Sequence, residues 1–341
     1  MQSTQTNTLY AGADLHGNNV FLSVCDAQGT ELFHRRVPAD IAAVSAAMEP
    51  YLGRISALGV ESTCNWYWLV DGLRDLGCRA VLGNPAKMKQ YSGLKSSDDR
   101  SDARWLAEML RLGIFPESYI YPRQTRAVRD LLRRRQFFVQ RRVQAQLSLE
   151  SLLCRYGTSL EGGIRTWTQK EIHALGMAPF VEMQIETMLE AFHGNDRLAK
   201  RIEEAVTGFV EPCGDFKRVQ TVPGIGPVLG MVILLESGEF SRFKNAGNYA
   251  SYCRTVKSER TSNSRKKGEN NRRNGNPYLA WAFIEAAYYA ARYYPPIQSW
   301  YERKKNNRLE VIAKKALASK LSKAVWHVMN GKEFEMKLMF G

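Results

Sequence analysis

Three short apolar runs near the N-terminus place the strongest constraint on the fold of this chain. The first begins at Leu9 and ends in a carboxylate, Asp14, the second covers Val20–Cys25, and the third covers Glu31–Val37. Short polar segments separate the runs, a pattern typical of a hairpin continued into a three-stranded meander. A carboxylate on a buried strand is costly unless a cation or hydrogen bonds stabilise it. Asp14 therefore either caps the turn that follows it or belongs to a functional site.

The segment after the meander alternates helices with short strands. Apolar residues at helical spacing predict helices over 41–52 and 65–76, and brief apolar runs predict strands over 54–61 and 79–85. A second carboxylate, Glu61, ends the first of these two runs. Strands that alternate with helices after a meander indicate a mixed sheet with helices on its faces. Ribonuclease H-like domains have this order of elements.

Two further acids lie on a helix that is predicted within residues 95–113. Asp99 and Asp102 are three residues apart, so they project from one face of the helix, one turn apart. The helix dipole explains acids at the start of a helix, such as Asp99. Asp102 instead shares a row with Leu106 and Met109, which directs its side chain toward the core.

Four carboxylates on separate elements are therefore candidates for a common site, namely Asp14, Glu61, Asp99 and Asp102. Clustered acids raise one another's pKa, so their convergence is favourable only when divalent cations neutralise them. Magnesium prefers carboxylate oxygens and readily bridges phosphates, and manganese accepts similar ligands. Two such ions about 4 Å apart would clamp both oxygens of an in-line phosphoryl displacement. The sequence thus predicts a site for Mg²⁺, or Mn²⁺, on these four acids.

The formal charge of +14 makes a polyanion the first partner to consider. An arginine-rich helix is predicted over 121–157, and apolar stripes over 179–192 and 198–206 continue the helical pattern. Two long amphipathic helices joined by a loop predict an antiparallel coiled coil or a dimer arm. The arginines either form a solvated face or contact the backbone of a nucleic acid. The candidates for such contacts are Arg126, Arg129, Arg133 and Arg134.

A glycine turn at Pro223–Gly226 joins two predicted helices, as in a helix-hairpin-helix element. In such a turn Gly224 and Gly226 would let backbone amides approach a phosphate. Tight packing between helices would also require glycines here, so both interpretations stay open.

A basic segment follows the aromatic patch Tyr249–Cys253. Eight basic residues against two acidic ones lie between residues 254 and 273, which predicts a disordered phosphate-binding loop that also contains Ser262. A helix over 277–293, ended by two prolines, and a basic helix over 308–329 come next. The candidate phosphate contacts of the loop are Arg254, Arg260, Arg265, Lys266, Lys267, Arg272 and Arg273.

Other sequence features exclude several classes of protein. No run of about 18 apolar residues occurs, so no membrane span is expected. The polar N-terminus lacks the charged flank and apolar core of a signal peptide. The six cysteines form no CxxC pair, which fits free thiols better than a disulfide framework or a zinc site. We therefore expect a cytoplasmic protein without a membrane partner.

These motifs resemble the insertion-sequence one-hundred-and-ten family of bridge-RNA-guided transposases over nearly the whole chain. The motifs that carry the resemblance are GADLHG with Asp14, GVEST with Glu61, DRSDAR with Asp99 and Asp102, GNPA at 83–86 and PGIG at 223–226. The resemblance implies an α/β plus α fold. Its parts are a ribonuclease H-like (RuvC-like) DEDD domain with a mixed sheet at 1–118, a helical coiled-coil region at 119–212 and a mostly helical transposase domain at 213–341.

The resemblance also points to one serine. The family's serine lies about a dozen residues after an aromatic-Ala-x-aromatic patch and before a GN-x-x-L element. Counting from Tyr249–Tyr252 gives Ser262, and Gly275–Leu279 supplies the downstream element. This chain has RTVK where the family often has Gly-Leu-x-Pro, and Asn follows the serine where the family often has Gly. Ser258 and Ser264 therefore stay as alternatives.

The activity that the resemblance implies is strand exchange between a donor element and a target DNA, guided by an element-encoded noncoding RNA. Ser262 would attack a DNA phosphate to form a covalent 5'-phosphoserine intermediate, the four acids would hold magnesium, and homodimers would pair into tetramers. A serine hydroxyl needs a base or a metal to activate it, and no histidine lies near Ser262 in the sequence.

Three other functions compete with this interpretation. A RuvC-like metal-dependent junction resolvase or nuclease would use water as the nucleophile, and an inert scaffold would bind nucleic acid without cutting it. A sugar kinase or ATPase also begins with a strand, an Asp and a glycine turn. Against the kinase, no second glycine-rich phosphate loop is present, and the net charge of +14 suits DNA better.

Overall fold

The structure is a computed structural model, in which the chain forms two compact units, residues 1–120 and 121–341. It describes residues 8–62, 65–88, 99–159, 162–256, 259–262, 265–269, 274–306 and 309–340, and only the backbone of 99–101, 259–262 and 266–269. The finer boundary that the sequence predicts near residue 212 stays a prediction.

The first unit contains a mixed sheet, as the sequence predicts, with a sixth short strand that the sequence did not predict. Its strands are β1 (Leu9–Leu15), β2 (Asn19–Cys25), β3 (Glu31–Pro38), β4 (Ile55–Glu61), β5 (Ala80–Gly83) and β6 (Glu117–Ser118), and its helices are α1 (Ile41–Leu52), α2 (Tyr67–Asp75), α3 (Pro85–Met88) and α4 (Asp99–Arg111). The strand order is β3-β2-β1-β4-β5-β6. The first three strands are antiparallel, β4 and β5 run parallel to β1, and β6 is antiparallel to β5.

The two faces of this sheet are covered in different ways. On one face, apolar side chains such as Leu22 and Val60 form a core with Met48 of α1 and Leu69 of α2. On the other face β1 carries Gly12, where an added Cβ would clash with the backbone of α4. Helix α4 therefore lies directly on the backbone of β1, at a distance that only glycine permits.

The second unit consists mostly of helices. They are α5 (Arg123–Arg155), α6 (Gln169–His173), α7 (Pro179–Val210), α8 (Gly214–Val219), α9 (Pro227–Ser237), α10 (Ala246–Tyr252), α11 (Pro277–Tyr293), α12 (Pro295–Asn306), α13 (Glu310–Met329) and α14 (Met336–Phe340). Two strands, β7 (Glu259–Ser262) and β8 (Arg265–Glu269), pair antiparallel. The described part of the predicted disordered loop is therefore a pair of antiparallel strands, called the hairpin below, because the backbone groups of β7 and β8 bond to each other.

The two longest helices of this unit, α5 and α7, form the predicted antiparallel pair. Arg142 of α5 binds Asp196 of α7, whereas the earlier Arg135 binds the later Glu203. The two apolar stripes predicted over 179–192 and 198–206 belong to the single helix α7.

A second set of helices, α9, α11 and α13, encloses the main core of this unit, which includes the fully buried Met231, Phe283 and Leu317. Helix α11 ends at Tyr293, just before the two prolines, as predicted. The same prolines begin α12, because their fixed φ suits a first helical turn, where no N–H is needed. In the described part of the chain, no helix combines the length and apolar character that crossing a membrane requires.

The contact between α4 and β1 leads to a prediction about stability. Gly12→Ala would place a Cβ 2.8 Å from the backbone nitrogen of Ala107 and against the carbonyl oxygen of Ala103. Because backbone cannot yield as a side chain can, we expect the free energy of unfolding to fall by about 3 kcal/mol. Urea unfolding of the full chain measures this change.

The control for this variant is Gly53→Ala. Gly53 has a helical φ of −67°, and a Cβ there would meet nothing within 4 Å. Its free energy of unfolding should stay constant or rise by up to about 1 kcal/mol. Equal unfolding midpoints for the two variants would contradict the close contact.

Candidate functional site

Two of the predicted acids lie at the same edge of the sheet, at the C-terminal ends of β1 and β4. The parallel register pairs Gly12 with Gly59 and Ala13 with Val60, so Asp14 and Glu61 follow at neighbouring positions. Side chains two residues apart on a strand share a face. Asp14 therefore projects to the same face as Gly12, which α4 covers, and the residue is buried, with 8% of its surface exposed.

A third acid, Asp102, lies on α4 near the same edge of the sheet. We call the place where Asp14, Glu61 and Asp102 lie the acidic corner. The residue after Asp102, Ala103, has its carbonyl oxygen in contact with Gly12. Gly12 precedes Asp14 by two residues on β1, so Asp102 lies beside the strand that carries Asp14. One carboxylate oxygen of Asp102 is fully buried, which agrees with the inward direction predicted from its row. Asp99 is the first residue of the same helix, and its side chain lies outside the described residues. Three elements thus direct their acids to one corner of the first unit.

His16 is a residue of this corner that the sequence interpretation did not select. Its Nε2 lies 2.9 Å from Oδ2 of Asp14. The amide of Asn65 donates a hydrogen bond to the carbonyl oxygen of His16 at 3.0 Å and so holds the turn after β1. A protonated imidazole would neutralise part of the charge of Asp14, and a neutral one is a common metal ligand. The only signal in the sequence is its position two residues after Asp14.

The carboxylate donors suit a hard divalent cation in their chemistry. Among the described side chains, however, no three His, Cys, Asp or Glu residues form a group that would hold a metal ion. The predicted set of ligands also includes Asp99, whose side chain is outside that description. The corner therefore has the right donors, and a metal site on all four acids stays a prediction.

Ser262 lies in the second unit, as the last residue of β7. In the hairpin register it faces Arg265, the first residue of β8 and an exposed one, and Thr261 faces Lys266. The hairpin therefore places the predicted nucleophile opposite a basic strand. Lys267 is also on β8 and Arg260 on β7, whereas the rival Ser258 and Ser264 and the predicted contacts Arg272 and Arg273 lie outside the described residues.

The two ends of the segment that carries Ser262 meet at a closed base. The backbone N–H of Asn276 donates to the carbonyl oxygen of Tyr252 at 2.7 Å, and Nε of Arg254 donates to the carbonyl oxygen of Asn274 at 2.9 Å. Arg254 has a positive φ of 56°, so its backbone turns sharply at this point. Arg254, which the sequence assigned to phosphate, therefore makes a contact within the protein, and its contact with phosphate stays a prediction.

The predicted nucleic-acid contacts on α5 differ in their surroundings. Arg126 and Arg129 are 3% and 5% exposed, and the guanidinium of Arg129 lies 4.0 Å from the ring centre of Tyr121. Arg133 binds Glu236, whereas Arg134 is exposed. Burial of Arg126 and Arg129 does not support contacts with nucleic acid from these two. Arg133 is only partly buried, but its guanidinium is already paired with Glu236.

Arg133 and Glu236 form a two-point ionic contact in the second unit. Nε and Nη2 of Arg133 donate to the two carboxylate oxygens of Glu236 at 2.6 and 2.7 Å, and Glu236 is 2% exposed. Partial burial of Arg133 opposes its charged form, but the hydrogen bonds and charge of Glu236 outweigh it and raise the pKa of Arg133. A two-point pair of this kind fixes orientation as well as charge.

The glycine turn between α8 and α9 has two different glycines. Gly224 has a φ of +82°, and an added Cβ would clash with the carbonyl oxygen of Ala286 in α11, so helix packing requires this glycine. Gly226 caps α9, is exposed and has open space around its Cα. Packing thus accounts for Gly224, and a phosphate contact in this turn stays a prediction, for which the exposed Gly226 is the better candidate.

Comparisons with known proteins cover both regions. Residues 11–157 match a family model described as a transposase, DEDD_Tnp_IS110, and this range includes Asp14, Glu61, Asp99 and Asp102. Residues 216–302, which include Ser262, match the model of the transposase IS116/IS110/IS902 family.

Two curated proteins resemble the chain along much of its length. The transposase for insertion sequence element IS1111A of Coxiella burnetii is 22% identical over 337 residues, which cover 94% of this chain and 90% of that protein. The putative transposase y4qE of Sinorhizobium fredii is 22% identical over 255 residues, which cover 72% of this chain and 60% of that protein.

The pairing of Arg133 with Glu236 predicts that loss of Arg133 destabilises the protein more than loss of its exposed neighbour Arg134. Arg133→Met should lower the free energy of unfolding by about 3 kcal/mol, because it leaves a buried carboxylate without its cation. This value is at the lower end for buried pairs, since Arg133 is itself 33% exposed. Arg134→Met, the control, should change it by no more than about 0.5 kcal/mol. Urea unfolding that shows equal effects would contradict the structural role of Arg133.

Proposed function

The chain belongs to the IS116/IS110/IS902 family of transposases, and from this premise we propose that it cuts and rejoins DNA with Ser262 as its nucleophile. The family identifies it as an enzyme that acts on DNA, the transposase of an insertion sequence. The resemblance of its motifs to the insertion-sequence one-hundred-and-ten family is thereby confirmed. The serine, the ligands of the metal and the RNA guide are parts of the proposal.

The observation that carries the proposal is the convergence of acids at one corner of the first unit. The register of β1 and β4 puts Asp14 beside Glu61, and the contact of α4 with Gly12 brings Asp102 to the same face. A DEDD transposase family implies a divalent metal, and we propose Mg²⁺, with Mn²⁺ as a substitute, on these acids and Asp99. Bound there, the ion would neutralise the acids and stabilise the charge that develops on a phosphate.

The proposed reaction is a pair of transesterifications. The Ser262 oxygen attacks a DNA phosphorus, a phosphoserine bond forms at the 5' side, the bond to the 3' oxygen breaks, and the serine proton leaves with that oxygen. A 3' hydroxyl of the other DNA then attacks the phosphorus of the phosphoserine, the bond to the serine oxygen breaks, and the proton of the hydroxyl passes to the released serine. The number of phosphate ester bonds is unchanged, so no external energy is required. Arg265, opposite Ser262 in the hairpin, supplies positive charge for the negative phosphate.

The proposed partners follow from charge and family. With a net charge of +14, the chain suits contact with donor DNA, target DNA and an element-encoded noncoding RNA that guides the choice of site. We propose that homodimers assemble into tetramers, so that four strands are exchanged in one complex, and that the protein acts in the cytoplasm. The four strands require four serines, which supports the tetramer.

The acids of the first unit provide one test. Asp14→Asn, Glu61→Gln and Asp102→Asn keep the size of each side chain but remove the charge that a cation requires. Each should lower the rate of DNA cleavage at least about 100-fold, with little change in DNA binding. Glu49→Gln, an exposed acid of the same unit, is the control and should cut at the wild-type rate. An Asp14→Asn protein that cuts normally would refute the proposed site.

The serine provides the second test. Wild-type protein mixed with DNA from the flanks of its own gene, RNA transcribed from those flanks and Mg²⁺ should leave protein attached to a DNA end after denaturation. Ser262→Ala should form no such adduct, because it lacks the proposed nucleophile, and it should still bind DNA, because the loss of one hydroxyl usually changes stability little. Ser251→Ala, an exposed serine on α10, is the control. Cleavage without any adduct would favour the junction resolvase that uses water, and binding without cleavage would favour the inert scaffold.

A further inference from the structure

A buried polar network joins α5, α9, α10 and the start of α11 beneath the hairpin of Ser262. Its centre is the carboxylate of Glu236, whose two oxygens each accept a hydrogen bond from the guanidinium of Arg133. The side-chain amide of Asn276 donates to Oε2 of Glu236 at 2.7 Å, and Asn276 is 6% exposed. Three charge-assisted hydrogen bonds thus fix one buried carboxylate, and charge-assisted bonds are shorter and stronger than neutral ones.

Both ends of the Ser262 segment are attached to this network. At one end, the hydroxyl of Tyr121 donates to the carbonyl oxygen of Glu236 at 2.6 Å and lies 3.0 Å from the hydroxyl of Tyr252. At the other end, Asn276 caps α11 by accepting from the backbone nitrogens of Tyr278 and Leu279. Tyr252 and Asn276 are also joined directly through their backbones. The base of the hairpin therefore has its position set by Glu236.

A network of this kind is poorly explained by stability alone. Apolar side chains of similar volume are often as stabilising as a buried ion pair, and a polar network is costly unless each member is satisfied. Compared with apolar packing, the polar network fixes the orientation of its members, because each hydrogen bond forms in only one arrangement. Arg133 also stacks on the ring of Tyr278, 4.5 Å from its centre, which restricts the guanidinium further.

We propose that Glu236, Arg133 and Asn276 are positioning residues, which hold the base of the hairpin so that Ser262 is presented to its phosphate in one orientation. The proposal rests on Ser262 as the nucleophile. A reacting atom that is misplaced by about 1 Å reacts about 100 times more slowly. Loss of one bond in the network therefore slows the attack without removing any group that touches DNA.

The test uses Asn276→Ser in the full-length protein. Serine is a good helix cap, so the variant keeps the cap of α11, but it has no amide to donate to Glu236. The matched control is Asn245→Ser, because Asn245 caps α10 through the backbone nitrogen of Asn248 and is exposed. Arg133→Lys is a second variant, which keeps the charge but not the planar two-point contact.

The readout separates positioning from unfolding. With DNA and RNA from the flanks of the gene in excess, the time course of the covalent adduct gives a rate constant and an amplitude. A merely structural defect lowers the amplitude, because fewer molecules are folded. We expect Asn276→Ser and Arg133→Lys to keep the amplitude and the half-saturating DNA concentration but to lower the rate constant about 10- to 100-fold. Asn245→Ser should react as the wild type does.

A second measurement needs no chemistry. In the protein without DNA, amide hydrogen exchange within 259–262 and 265–269 should be faster in Asn276→Ser than in Asn245→Ser, because the base that holds the hairpin opens more often. Equal exchange, or equal rate constants, would overturn the positioning role and leave Ser262 as the nucleophile. A wild-type protein that forms no adduct at Ser262 would overturn the proposed function instead, and the exchange comparison would then decide the role of the network.

Discussion

The direct contact of α4 with β1 at Gly12 is the constraint on which the acidic corner depends. A strand and a helix usually keep their backbones apart by the thickness of two side chains, whereas here the carbonyl oxygen of Ala103 lies where a Cβ of residue 12 would be. This approach places Asp102, the preceding residue, beside the strand that carries Asp14. Repulsion between these carboxylates is unfavourable in free energy, and it arises at the edge of the sheet where the parallel strands β1 and β4 end.

In the second unit, a buried polar network attaches the β7–β8 hairpin to the surrounding helices. A buried carboxylate is unfavourable alone, but Glu236 is stabilised by a guanidinium and an amide that belong to separate helices. The partners of Glu236 are thus fixed relative to one another. The same contacts fix the two ends of the serine segment, Tyr252 and Asn276. Contacts within the protein therefore explain part of the arginine density of α5, and contact of the remaining arginines with nucleic acid stays a prediction.

Much of the first unit could be predicted, because short apolar runs and the turn residues between them are local signals of strands and helices. The sequence also placed Asp14 and Glu61 at strand ends, but the parallel pairing of β1 with β4 that puts the two acids side by side comes from the structure. The role of Arg133 could not be predicted, because its partner is 103 residues away in the chain and charge alone does not distinguish a paired guanidinium from a free one. The contact of His16 with Asp14 depends on the shape of one turn, and the need for Gly224 depends on α11, a helix more than 50 residues later.

The central claim, that a serine of the β7–β8 hairpin becomes linked to DNA, is tested most directly by mapping the linked residue. The covalent protein–DNA adduct is digested with nuclease and protease, and the peptide that keeps a nucleotide is sequenced by mass spectrometry. The account predicts that the phosphate is attached to Ser262. Attachment to Ser258, Ser264 or a residue outside the hairpin would contradict it.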